Sequence, residues 1–172
     1  MKQGMKSTLV LFLICSIIAV LMAVTNMITK PIIEANEKEA TKQALLQVLP
    51  DGGEFDAVDL AEYELPATVK EVYKATQGGV VVKLVTTGYG SNFTIMCGIG
   101  EDGKVVNAIC LSSNETLGYE KTFGENLIGK NADEVEGVSV VSGATKTTSA
   151  YKNAVKDALT VASILSKGGE AA

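Results

Sequence analysis

The sequence predicts an α+β fold: an N-terminal transmembrane helix, then one domain with a mainly antiparallel sheet packed by helices. Three observations predict it. An uncharged run of 23 residues, Ser7 to Thr29, stands near the start. Between residues 69 and 111, short β-branched segments alternate with glycine turns. The last third closes on a helical pattern with an apolar stripe, Ala150, Ala154, Ala158, Val161, Ala162 and Leu165.

The uncharged run is long enough to cross a bilayer as a helix. Lys2 and Lys6 precede it, and Lys30 with Glu34, Glu37 and Glu39 follows. Positive charge on the short side places the N-terminus in the cytoplasm and the remaining chain outside. A cleaved signal peptide is the competing reading. The run is long for one, no A-x-A site closes it, and Ile14 before Cys15 does not suit lipoprotein cleavage. An uncleaved anchor, residues 1–30, is the expectation.

After Pro31, apolar Ile32, Ile33, Ala35, Ala40, Ala44, Leu45, Val48 and Leu49 interleave with charges and read as an amphipathic helix. It should stop near Pro50-Asp51-Gly52-Gly53. Residues 54–64 carry Asp56, Asp59, Glu62 and Glu64 without the ligand order of a calcium loop, so a solvated connector is expected. Residues 31–66 thus join the anchor to a domain over residues 67–172.

Strands are expected at 69–75, 80–85, 92–99 and 104–111. The Asp102-Gly103 pair marks a hairpin between the last two. That hairpin sets Cys97 opposite Ala108 with Cys110 diagonal on the same face. A disulfide between Cys97 and Cys110 is within geometric reach, but buried free thiols are preferred. Phe123, Leu127 and Ile128 are core candidates, Gly129-Lys130-Asn131 a turn, and Val138, Val140 and Val141 a last short strand. The closing helix is expected from Ser149 to about Ser166, with Lys152, Lys156 and Asp157 in water.

Composition excludes much chemistry. The chain has fifteen Lys, no Arg, no His, no Trp and a net charge of −5. Without His the usual neutral-pH base and the commonest metal ligand are missing, and three Cys with no CxxC make a poor metal site. No metal site is expected. Without Arg no bidentate phosphate fork exists. The acidic balance speaks against nucleic acid. No Ser-His-Asp set is possible, and no catalytic residue is assigned.

One stretch stands out: Val140-Val141-Ser142-Gly143-Ala144-Thr145-Lys146-Thr147-Thr148-Ser149. Hydroxyl-rich, it leads into a helix, where unpaired N–H groups and the dipole suit an anion, phosphate above all. Gly143 and Ala144 leave room against the backbone. A Ser/Thr-rich cap without a ligand is the plainer reading.

Ser142-Gly143-Ala144-Thr145-Lys146-Thr147 resembles the covalent flavin attachment motif, Ser/Thr-Gly-Ala-Thr/Ser-x-Thr/Ser, of the FMN-binding domain family. That family includes the G subunit of Rnf electron-transport complexes and the C subunit of sodium-pumping NADH:quinone reductases. Asp often stands three residues before the motif in that family; here the residue is Ser139. Ser112-Ser113-Asn114-Glu115-Thr116-Leu117-Gly118-Tyr119 resembles the family's Glu-Thr-Pro-Gly segment, with Leu117 in place of Pro. The Gly88-Tyr89-Gly90 turn fits as well, and the likeness runs from about residue 69 to 165.

The resemblance implies FMN joined through its phosphate to Thr145 by a flavin transferase, as a phosphodiester. It implies a pocket that includes Ser142, Gly143, Ala144, Lys146, Thr147 and Thr148, with Glu115, Thr116, Leu117 and Gly118 as further contacts. Thr147 is read as a helix cap more than as the acceptor. Glu115 and Thr116 read equally well as a turn and cap. Threonine is a weak nucleophile without a neighbouring base, so the attachment is expected to be made by another enzyme. The implied function is a membrane-anchored flavoprotein subunit of an Rnf-type, ion-translocating ferredoxin:NAD oxidoreductase complex. It would not be catalytic alone, and its partners would be the other subunits, the transferase and the lipid bilayer. The alternatives are a stand-alone extracytoplasmic electron carrier and an unflavinylated scaffold module.

Overall fold

The computed structural model describes residues 2–168 and divides into two compact units, Met1–Lys42 and Gln43–Ala172. The first consists of most of helix α1 (Lys2–Val48). Within it, Val10–Lys30 is long and apolar enough to cross a membrane, and its side chains are exposed, Phe12 by 72% and Met27 by 80%. So much uncovered apolar surface suits lipid or partner helices far better than water.

The sequence suggests two helices parted by Pro31, but the backbone stays helical through it. Proline removes one donor and crowds the preceding turn. Strong helix formers at Lys38, Glu39 and Ala40 favour continuation of the helix beyond it.

The second unit is a five-stranded antiparallel meander in the order of the chain. Its strands are β1 (Phe55–Ala57), β2 (Val69–Ala75), β3 (Val80–Thr87), β4 (Asn92–Ile99) and β5 (Val105–Ser112). Cys97 pairs with Ala108 as the hairpin predicts, and Gly100 donates to Lys104 O at 2.9 Å across its end. Strand β1 falls where the sequence suggests a solvated connector. Its register, Phe55 with Ala75 and Ala57 with Tyr73, gives β2 a partner on its outer edge, and Phe55 packs against an apolar cluster.

Both faces of the sheet are covered. On one, α3 (Thr145–Gly168) lies across β3 and β4 and buries Tyr151, Ala154, Val155, Ala158 and Val161 against Val82, Leu84, Phe93 and Ile95. Tyr151 stacks on Phe93 at 6.1 Å and meets Phe123 edge-on at 5.7 Å. On the other face, Ala44, Leu45, Val48 and Leu49 at the end of α1 cover Val81 and Met96. Two-sided burial explains why β3 and β4 are nearly continuous apolar runs rather than alternating ones.

Several expectations are corrected. Helix α3 begins at Thr145, four residues before Ser149. Residues 138–141 form no strand, because the Val141 amide donates to Thr148 Oγ1 and its carbonyl accepts from Ala144. Past β5, the backbone of Val105 is already paired with Gly129 and Lys130. Phe123 and Leu127 are core, but Ile128 is 46% exposed. A short helix α2 (Ala132–Glu136) follows the Gly129 turn, closed by a capping box between Asn131 and Glu134. Lys152 and Lys156 do not simply point to water: Lys152 donates to Glu136 O and Val138 O, and Lys156 pairs with the Glu136 carboxylate. Asp157 accepts from Thr68 Oγ1 at 2.6 Å. Cys97 and Cys110 are free thiols, and burial pushes Cys97 up to about 12.

Gly98 on β4 is the point of closest approach between the sheet and the end of α1, since a Cβ there would overlap the Val48 carbonyl. Gly98→Ala should therefore cost about 3 kcal/mol of unfolding free energy by overpacking. Denaturant unfolding of the full chain in detergent checks it, with Val106→Ala, on a 37% exposed side chain, expected to change little.

Candidate functional site

The site is built around the first turn of α3. Val141-Ser142-Gly143-Ala144 turns into the helix with Gly143 at φ 86°, a left-handed conformation that glycine adopts without strain. Ala144 N–H donates to Val141 O at 3.0 Å, and Thr148 Oγ1 returns to Ala144 O at 2.9 Å while accepting from Val141 N–H. Thr148 is fully buried, and its hydroxyl is spent holding the turn. The amides of Thr145, Lys146 and Thr147 have no acceptor among the described residues, as helix geometry dictates. Thr145 is exposed beside them, and its hydroxyl makes one long hydrogen bond, 3.4 Å to Val141 O.

A second feature ties three distant segments together. The Glu115 carboxylate accepts from Thr147 Oγ1 at 2.6 Å, and from the amides of Tyr89, Gly90 and Ser91 at 3.2, 3.0 and 3.3 Å. Thr147 is therefore not a cap: buried to 4% exposure, it spends its hydroxyl on Glu115. The Thr147 hydroxyl first, and then the three amides, hold the Glu115 carboxyl below its ordinary 4.5. Gly88 makes this possible, because a Cβ there would stand 2.6 Å from Glu115 Oε1.

These elements enclose a pocket of about 540 Å³. Gly143, Ala144, Thr145, Lys146 and Thr147 line it from the α3 side, and Glu115, Thr116 and Leu117 from the segment after β5. Ser142, Thr148 and Gly118 do not line it. Ser142 lies in the turn before the helix, and Gly118, at φ 72°, begins the 3-10 turn Tyr119–Lys121. Three further residues line the pocket that the sequence reading does not name as contacts: Tyr89 and Tyr119, which lie in the two segments that carry the resemblance, and Glu120. Tyr89 is 76% exposed, with Lys146 Nζ 5.7 Å from the centre of its ring, a cation–π arrangement that gives Lys146 a defined place. The Gly-Tyr-Gly turn is the signal that points to Tyr89. Nothing marks Glu120, since a charged residue in a loop reads as solvated.

The arrangement offers unpaired backbone donors and an exposed hydroxyl at one end, and apolar walls along its length. It suits an elongated ligand with an anionic end. No cluster of His, Cys, Asp or Glu that could hold a metal ion occurs among the described residues.

Residues 88–160 match the FMN-binding domain family, and residues 1–48 match the RnfG N-terminal region. Among characterised relatives, the chain is similar to the G subunit of the Na(+)-translocating ferredoxin:NAD(+) oxidoreductase complex of Acetobacterium woodii. That pair is 30% identical over 163 residues, covering 84% of this chain and 78% of the relative. It is also similar to the G subunit of the proton-translocating ferredoxin:NAD(+) oxidoreductase complex of Clostridium ljungdahlii, 23% identical over 163 residues and 84% of each chain.

Because the Glu115 pKa is lowered on folding, its carboxylate adds stability that is complete above the ordinary value and is lost as pH falls through the lowered one. Glu115→Gln should melt below wild type at about pH 7 and converge with it under acid conditions. Thermal unfolding of both proteins across that range is the check; parallel curves would contradict the clamp.

Proposed function

Because the chain belongs to the G-subunit family of Rnf-type ferredoxin:NAD(+) oxidoreductase complexes, we propose that it carries FMN on Thr145 and relays electrons within such a complex. One observation carries the assignment: Thr145 places an exposed hydroxyl on the wall of the pocket, within a helix turn whose amides are unpaired. The pocket fits the group. Its volume lies within the range of roughly 300–1,000 Å³ usual for cofactor sites. A Cβ built on Gly143 meets no atom within 4 Å, so the approach to Thr145 is open.

FMN, when bound, supplies the redox chemistry. The chain's own residues attach, place and shield it. The free amides of Thr145, Lys146 and Thr147 would face its phosphate without the cost of desolvating a side-chain cation. Tyr89, Leu117 and Tyr119 supply apolar surface, exposed by 76%, 63% and 41%, to cover the ring system. Glu115, already saturated with donors, fixes the Gly88–Ser91 turn and Thr147 relative to each other rather than binding the ligand itself.

With no His in the chain, no base stands ready to activate Thr145, which supports attachment by a separate flavin transferase. The membrane helix and the lysines before it support an N-terminus in the cytoplasm and the flavin domain outside, where covalent attachment prevents loss of the cofactor. The match over residues 1–48 favours a complex subunit over a free carrier. The two relatives are named for sodium and for protons, and the proposal is for an electron carrier in either.

Thr145→Ala should abolish the mass increment of one FMN less one water, and the yellow colour with it, while far-UV circular dichroism stays unchanged. Thr145→Ser should retain both. Intact-protein and peptide mass spectrometry on chain made with a flavin transferase reads the result; a flavin mass on Thr147 in the Ala variant would overturn the assignment.

A further inference from the structure

Glu120 is an anomaly in this pocket. It is 1% exposed, and neither carboxylate oxygen has a hydrogen-bond partner among the described residues. The hydroxyl–carboxylate pair of Thr147 and Glu115 in the same pocket is satisfied; Glu120 is not. Burying a carboxyl group without donors is costly, and folded proteins rarely keep one without a use. Glu120 nevertheless lines the same cavity as Thr145.

Local structure explains how it is held there. Gly118 at φ 72° turns the chain into Tyr119–Lys121, and that turn and the next, Phe123–Leu127, pack on α3. Glu120 is thereby directed inward while Lys121 beside it remains exposed and Tyr119 is 41% exposed. It stands close enough to Cys110 for its charge, after burial, to raise that thiol. The cation nearest in sequence, Lys121, makes no hydrogen bond to either carboxylate oxygen.

A ligand in this cavity can supply the missing donors. A phosphate is acceptor-only and anionic, so the phosphate end of FMN is excluded from this wall. The isoalloxazine and ribityl portions carry N–H and O–H groups and are not. We propose that Glu120 is a cofactor-contacting residue of this chain, accepting a hydrogen bond from an N–H or O–H group of the flavin away from its phosphate. This rests on the flavin reading above. It also orients the ligand: phosphate to the first turn of α3, a donor edge to the turn after Gly118.

The test compares wild type, Glu120→Gln and Glu120→Met as full chains, each made with and without a flavin transferase. Without flavin, Glu120→Met should melt above wild type, since it removes a buried carboxyl group without partners. With flavin attached, that advantage should vanish, so the rise in Tm on flavinylation is smaller in Glu120→Met than in wild type, and intermediate in Glu120→Gln. In the loaded proteins, loss of the carboxylate charge should shift the flavin two-electron equilibrium toward reduction by about tenfold, about 30 mV. Equal Tm increments in wild type and Glu120→Met overturn the inference, whatever the potential does. Intact mass of wild type reports on flavin attachment separately: its absence overturns the flavin reading and this one together, whereas equal increments on loaded protein overturn this one alone.

Discussion

The Glu115 carboxylate is the constraint on which the pocket depends. It takes four hydrogen bonds, three from the backbone of the β3–β4 turn and one from the first turn of α3. Each partner is otherwise in trouble. The turn amides have no strand to pair with, and Thr147 is a buried hydroxyl that needs an acceptor. One ionised group solves both, and charge-assisted bonds are about twice as strong as neutral ones. The turn bearing Tyr89 is thereby fixed against the helix bearing Thr145, across separations of 24 to 32 residues in sequence.

What lies beneath this clamp is rigid for ordinary reasons. Helix α3 is set on the sheet by Tyr151, whose ring contacts both Phe93 and Phe123. A Cβ on Gly124 would overlap the Ala108 carbonyl, so the segment after Tyr119 is pressed directly onto β5. The walls of the pocket are thus carried by two elements seated on the same sheet. A loop-borne site acquires the precision of the scaffold that holds it.

Much of this is legible in the sequence. The β-branched runs and Asp102-Gly103 specify four strands and their order, because the side-chain period and the turn chemistry are local signals. The hydroxyl-rich stretch from Val140 to Ser149 singles out Thr145 and its neighbours, which the structure places on the pocket wall. Other features are hidden for physical reasons. Strand β1 is only Phe55-Asp56-Ala57, too short for a periodic pattern, and exists because β2 needs an edge partner. The start of α3 is obscured because Ser and Thr are favoured caps, whereas here Thr148 reaches back from inside the helix and Ala144 precedes it. Thr147 looks like a cap because its true partner, Glu115, is 32 residues away. The run at 138–141 has strand-like composition, but the amide and carbonyl of Val141 are taken up by Thr148 and Ala144 in the turn into α3.

A chain with no Arg and no His must build an anion site by other means, and the consequence is a pocket of divided polarity. Lys146 stands over the Tyr89 ring, and the unpaired backbone N–H groups of the first turn add positive character at the α3 end. Such groups cannot be deprotonated and do not move, so the field they impose is the same at any working pH. Glu115 sits at the same end, yet its charge is offset by four donors. An anionic group would therefore be tolerated beside Thr145 despite the carboxylates of Glu115 and Glu120 in the lining and a net charge of −5 on the chain. A ligand with its negative charge at the helix turn and its apolar body at the Tyr89, Leu117 and Tyr119 rim would match that division, whereas the reverse orientation would leave both ends unsatisfied.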